Sequence, residues 1–124
     1  MKSALLVFIG GGLGSVARYW ISVFINSQLN TRLDVYGTLM VNIIGSFLIG
    51  LLLGWLFKSE ALHSNLQLLL VVGFCGGFTT FSTFSSENLN LIRKSLYSEF
   101  LLYGLGSILL GLLAVFLGIF IFKK

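Results

Sequence analysis

The 124-residue chain has no proline, one cysteine, one histidine and four acidic residues, and 10% of it is charged against 56% hydrophobic. A soluble domain carries about 25% charged residues, so this composition excludes one and identifies a membrane protein. The single cysteine, Cys75, excludes an intrachain disulfide and a multi-cysteine metal site, and beside Gly76 it reads as a small apolar filler. The lone His63 lies between two apolar runs with no second His or Cys to share a metal, and reads as an interfacial residue. The acids Asp34, Glu60, Glu87 and Glu99 fall in loops or at the ends of apolar runs, which leaves no carboxylate at mid-membrane. No nucleophile, base and orienting group fall together, so no enzyme is expected. The net charge is +4. Its basic residues are scattered at the ends of the runs, which suits anionic lipid headgroups and not nucleic acid.

What the chain does have is length in its apolar runs. Residues 4–25, 36–57 and 100–122 each supply the roughly 20 residues that cross a bilayer core of about 30 Å. A fourth run begins at residue 66. Four spans take up most of the chain, so residues 1–124 read as a single four-helix transmembrane domain of the all-α class. The first run lacks a small-residue cleavage site and reads as a retained span of a multi-pass protein in a bacterial-type inner or plasma membrane.

The stretch around which the rest is organised is VGFCGGFTTFSTFSSE, residues 72–87. Glycines 73, 76 and 77 interrupt an apolar run, and six hydroxyl residues follow within eight positions, interleaved by Phe81 and Phe84. A helix broken at Gly76-Gly77 is tolerated inside a membrane only where protein or a water-filled cavity surrounds it, so other helices must bury this segment. If a helix resumes, Phe81 and Phe84 share one face, and Thr80, Thr83 and Glu87 share another. Ring edges beside hydroxyls mark a path for a small ion. The alternative is that Gly, Ser and Thr simply let helices pack closely.

The first span carries GGGLGSVARYW. As a dinucleotide fingerprint it fails, because no strand precedes it, no acid follows at the required distance and Ser15 takes the third glycine position. Gly10, Gly11 and Gly14 instead predict close helix contact, and Arg18 is either an interfacial anchor with Tyr19 and Trp20 or a functional or dimer contact. In the second span, VNIIGSF places Asn42 and Ser46 on one face, and Gly50 and Gly54 form a GxxxG contact. An asparagine in lipid needs a partner, so Asn42 either bonds across a helix interface or lines a pore. In the fourth span Tyr103 and Ser107 fall on one face, as interfacial groups or as part of the hydroxylated path. Gly104, Gly111 and Gly118 predict a packing seam. Loops are expected at residues 26–35, 58–65 and 88–99.

Topology is set by lysine and arginine. One side of the membrane would carry Lys2, Lys58, Lys123 and Lys124, the other Arg32, Arg93 and Lys94, with Arg18 if it reaches the interface. Neither orientation is favoured. Two copies inserted in opposite senses can pair about a twofold axis in the membrane plane, and four short helices are too few to enclose a pore alone. An antiparallel, dual-topology homodimer is therefore expected.

Three blocks in order, GGGLGSVARY, VNIIGSF and GFCGGFTTFSTF, make the chain resemble the Fluc/CrcB family of small fluoride channels over essentially its whole length. The resemblance implies a dual-topology homodimer with two fluoride pathways and a central structural Na⁺ held by backbone carbonyls of Gly76 and Thr79 from both copies. It also implies that Phe81 and Phe84 are pore phenylalanines, Asn42 the pore asparagine, and Ser82 and Thr83 part of a polar track. Tyr103 and Ser107 match pore or vestibule positions on the fourth span, and Ser15 stands where the family often has alanine.

The residue types suit such an ion. Fluoride is small and strongly hydrated, and an amide, hydroxyls and the positive edges of aromatic rings offer it donors throughout. A fixed cation at mid-pore would hold the ion too tightly, since conduction needs weak, multiple sites. The competing reading is a dual-topology, proton-coupled exporter of small cations or drugs. That mechanism requires a mid-membrane carboxylate, which the sequence does not place. A purely structural membrane subunit is a third.

Overall fold

The computed structural model describes residues 1–59 and 64–123, so the readings of Glu60, His63 and Lys124 lie outside the described residues. All regular structure among the described residues is helical: α1 (Lys2–Leu29), α2 (Tyr36–Lys58), a short α3 (Ser64–Leu66), a π-helical stretch (Gln67–Cys75), α4 (Gly76–Phe78), α5 (Phe81–Arg93) and α6 (Tyr97–Ile121). Four stretches are long and apolar enough to cross a membrane: Lys2–Leu29, Tyr36–Lys58, Gln67–Arg93 and Tyr97–Ile121. The four expected spans are these. Two connections are shorter than expected. Helix α1 runs past residue 25 to Leu29 and ends on Asn30, whose φ of 42° and N–H bond to the Asn26 carbonyl close the helix in the left-handed region. Asparagine tolerates that conformation better than most residues. Residues 88–93, read as loop, continue α5, because buried Asn88 and Leu91 give that helix an inward face.

The third span differs from expectation in where its helix is interrupted. Gly76 is helical, with φ −63° and ψ −38°. The extended residues are Thr79 (φ −79°, ψ 155°) and Thr80 (φ −147°, ψ 122°). A break at Gly76-Gly77 is thus corrected to Thr79-Thr80: Gly76 keeps a helical backbone, and Gly77 serves packing and not backbone freedom. A side chain on Gly77 would drive into the Gly11 backbone of α1. Threonine, branched at Cβ, accepts the extended conformation well. Thr80 then caps α5, its Oγ1 accepting the Thr83 N–H at 3.2 Å.

Glycine sets the approach of the helices elsewhere. On α1, a Cβ at Gly10 would strike the Leu69 carbonyl, and one at Gly14 would strike the Phe74 carbonyl and come within 2.8 Å of the Phe78 nitrogen. Between α2 and α6, a Cβ at Gly118 would lie 2.5 Å from the Phe47 carbonyl, and one at Gly54 3.1 Å from that of Ile119. The expected seam on α6 is therefore tight at Gly118. It is not continuous: the nearest atom to a Cβ at Gly111 is Ser46 Oγ at 3.6 Å, and at Gly104 it is Asn88 Oδ1 at 3.5 Å, both ordinary contact distances. Phe78, Val41 and Cys75 are the largest fully buried side chains, and Cys75 is the apolar filler its position implies. Phe8, Trp20, Leu102 and Phe116 stand exposed on α1 and α6, as hydrocarbon-facing residues do.

Candidate functional site

An interruption inside a membrane releases backbone groups that must find partners. Asn42 on α2 answers this at Thr80 with both ends of its amide. Its Nδ2 donates to the Thr80 carbonyl at 3.1 Å, and its Oδ1 accepts the Thr80 N–H at 2.8 Å. The sequence left open whether Asn42 bonds across a helix interface or lines a pore. It does the first, and it also borders a cavity.

That cavity has a volume of about 310 Å³ and is lined by Asn42, Ser46, Ile49, Thr79, Thr80, Phe81, Phe84, Ser107, Ile108 and Gly111. Five of the predicted site residues, Asn42, Thr79, Phe81, Phe84 and Ser107, therefore converge, from α2, α5, α6 and the interruption that precedes α5. Among the described residues no charged one lines the space. The rings of Phe81 and Phe84 lie 5.9 Å apart and tilted, and Phe84 is in turn 5.2 Å from the ring of Tyr103. Phe84 is half-buried between these neighbours, whereas Phe81 is 79% exposed on the single chain. Ser107 Oγ is buried with no hydrogen-bond partner among the described residues, so it stands ready for a ligand or water at the cavity wall.

The remaining predicted residues are arranged around this space. Ser82 and Thr83 do not line it. Their hydroxyls gather on Thr80 Oγ1, at 3.3 and 3.1 Å. Tyr103 is buried behind Phe84, and its hydroxyl donates to Glu87 Oε2 at 2.6 Å. Arg18 is partly exposed on α1, one turn beyond Ser15, away from the cavity lining.

Two residues of this network escaped the reading of the sequence. Glu87, assigned to the end of a span, sits on α5 and accepts a second bond from Thr38 Oγ1 at 2.7 Å, so each carboxylate oxygen has a hydroxyl donor. The spacing of Thr80, Thr83 and Glu87 on one helical face was the available signal for Glu87. For Thr38 there was none, since its partner lies 49 positions away.

The backbone at the interruption also offers oxygen ligands. In a continuous helix the Gly76 carbonyl would accept from Thr80 N–H and the Thr79 carbonyl from Thr83 N–H. Here those donors go to Asn42 Oδ1 and Thr80 Oγ1 instead. Gly76 and Thr79 thus lose their regular partners, and carbonyl oxygens so freed fit an alkali cation. Among the described residues no group of three His, Cys, Asp or Glu could hold a metal.

Comparison with known proteins identifies the family of the chain. Residues 5–119 match the family described as "CrcB-like protein, Camphor Resistance (CrcB)". A protein of Phocaeicola vulgatus named "Fluoride-specific ion channel FluC" is 48% identical over 119 residues, covering 96% of this chain and 97% of the relative. Relatives with the same name from Bacteroides fragilis and Flavobacterium psychrophilum are 48% identical over 120 residues and 42% identical over 124. These cover 95% and 100% of this chain, and 94% and 99% of the relatives. With four membrane-crossing helices and a match from end to end, the chain belongs to the CrcB family of multi-pass plasma-membrane proteins.

Proposed function

We propose that the chain forms a channel conducting fluoride passively across the plasma membrane, as an antiparallel homodimer with Na⁺ at its centre. The observation that carries this reading is the cavity where Asn42, Phe81, Phe84 and Ser107 meet with no charged residue in its wall. A small anion shedding water finds there ring edges, hydroxyls and amide hydrogen, each weak and none a trap. The relatives' name, fluoride-specific ion channel, supports the same ion. The Thr80, Ser82 and Thr83 hydroxyls form a polar track beside it, and Tyr103 with Glu87 borders a vestibule. Nothing in this assignment calls for catalysis.

Passive flux is supported by the acids. Glu87 has both its oxygens engaged by hydroxyls, and no described acid lines the cavity. Liposomes holding the purified protein and loaded with fluoride are expected to empty with no pH gradient, and chloride-loaded ones to retain their anion. An ion-selective electrode reads both. Efflux that requires a pH gradient would revive the proton-coupled exporter.

The dimer accounts for Phe81, which stands 79% exposed on the single chain although a ring facing an ion must be held in place. A second, inverted copy supplies the missing wall, with Arg18 at the contact between copies. The Na⁺ would sit among the Gly76 and Thr79 carbonyls of both copies and bind the two interruptions together. The balanced basic residues make a specific demand. Several lysines added to one terminus should force a single orientation and abolish fluoride flux, and co-expression of oppositely biased versions should restore it. Full activity from one biased version alone would exclude the antiparallel arrangement.

A further inference from the structure

The Gly77 carbonyl lies between the two carbonyls assigned to Na⁺. Its helical donor would be the N–H of Phe81, which sits across the extended Thr79-Thr80 pair as the first residue of α5. Ser15 of α1 fills that place, its Oγ donating to the Gly77 carbonyl at 3.4 Å. The contact is held in register from one turn earlier on α1. There the Gly11 backbone is so close that a Cβ on Gly77 would lie 2.9 Å from the Gly11 Cα. So α1 cannot rotate Ser15 away without losing the Gly11–Gly77 approach.

The geometry points to Ser15 as a positioning residue for a monovalent cation: by capping the Gly77 carbonyl it restricts the ligand set to the carbonyls of Gly76 and Thr79. Carbonyls in the last turn of a helix ring its axis and carry the negative end of the helix dipole. Left uncapped, the Gly77 oxygen would face the same space as its neighbours and seek the same cation. The O–H of Ser15 directs that lone pair toward α1. This inference rests on the Na⁺ reading, and its consequence is thermodynamic. Removing the hydroxyl leaves a part-buried acceptor without its Ser15 partner in the cation-free protein, and a bound cation then relieves it. The cation-free state therefore loses stability while the bound state largely keeps it.

The test is Ser15→Ala, with Ser15→Thr as the variant that keeps a hydroxyl. Thermal midpoint and dimer retention on size exclusion are followed for the purified protein as Na⁺ replaces N-methylglucamine at constant ionic strength. In Ser15→Ala the Na⁺ concentration giving half of the stabilisation is expected to fall about threefold to tenfold, the span that the net worth of one hydrogen bond covers. Ser15→Thr should titrate like the parent. An equal or weaker Na⁺ response in Ser15→Ala overturns the role of Ser15 while leaving the cation in place. A parent protein whose stability ignores Na⁺ overturns the cation reading itself, and the role of Ser15 with it.

Discussion

Asn42→Leu is expected to give a protein that is hard to recover as a folded dimer and that carries no measurable fluoride. Leucine keeps the branching at Cγ but replaces the polar amide with methyl groups, which removes both hydrogen bonds to Thr80, at 3.1 and 2.8 Å. Each buried backbone group left without a partner costs about 1 to 3 kcal/mol, so two cost about 2 to 6 kcal/mol, a large part of a typical folding free energy. Asn42→Asp separates the two ends of the amide. It retains an acceptor for the Thr80 N–H, loses the donor to the Thr80 carbonyl, and sets a carboxylate on the cavity wall. Its thermal midpoint should fall between those of the parent and the leucine variant. Its flux should be as low as that of the leucine variant, because a fixed negative charge repels the anion. A leucine variant with the parent's thermal midpoint would show that Thr80 is held by something other than Asn42.

Phe81→Ile and Phe84→Ile are each expected to cut fluoride flux by at least about tenfold, which corresponds to roughly 1.4 kcal/mol in barrier height. Isoleucine preserves bulk and apolarity while deleting the ring quadrupole, so it separates electrostatics from packing. The two positions should differ in stability. Phe84 is packed against Tyr103 at 5.2 Å and Phe81 at 5.9 Å, and an aromatic pair is worth about 0.5 to 1.5 kcal/mol beyond its buried area. Phe84→Ile should therefore lower the thermal midpoint measurably. Phe81, 79% exposed on the single chain, belongs to one of those two ring pairs and not to both, so its replacement should lower the thermal midpoint less than Phe84→Ile does. Normal flux in both variants would reduce the rings to filler and move the route to Asn42, Ser82 and Thr83.

The spans were legible because apolar length alone decides them, and the glycines of α1 were legible because small residues at helical spacing permit close approach. The position of the interruption was not. Gly76-Gly77 has the composition of a break, but a glycine also serves where two backbones touch, and only the neighbour reveals which use applies. That neighbour, Gly11, lies on another helix. Thr79 and Thr80 carried no helix-breaking signal, since their extended backbone is held by Asn42, distant in sequence. The site residues Asn42, Phe81, Phe84 and Ser107 were legible as polar or aromatic exceptions inside apolar runs, and the fold brings them to one cavity. Ser82, Thr83 and Tyr103 share that chemistry yet lie outside its wall, because helical phase on α5 and α6 turns them toward Thr80 and Glu87. The bonds of Thr38 and Glu87 depend on pairing α2 with α5, which no local pattern specifies.

The glycine contacts between α2 and α6 bear on throughput. Gly118 meets Phe47 and Leu51 backbone, and Gly54 meets that of Ile119 beside the Phe122 Cβ. Exposing a site alternately to the two sides requires whole helices to rock past one another, a motion slow enough to limit many transporters to one cargo per cycle. Here α2 and α6, which carry Asn42 and Ser107, meet through main-chain atoms, a contact that resists the sliding of one helix past the other. On the proposed channel reading, the two sides of the cavity that they supply would keep a fixed spacing while ions pass, so turnover would be limited by hops between neighbouring weak sites and not by a conformational cycle.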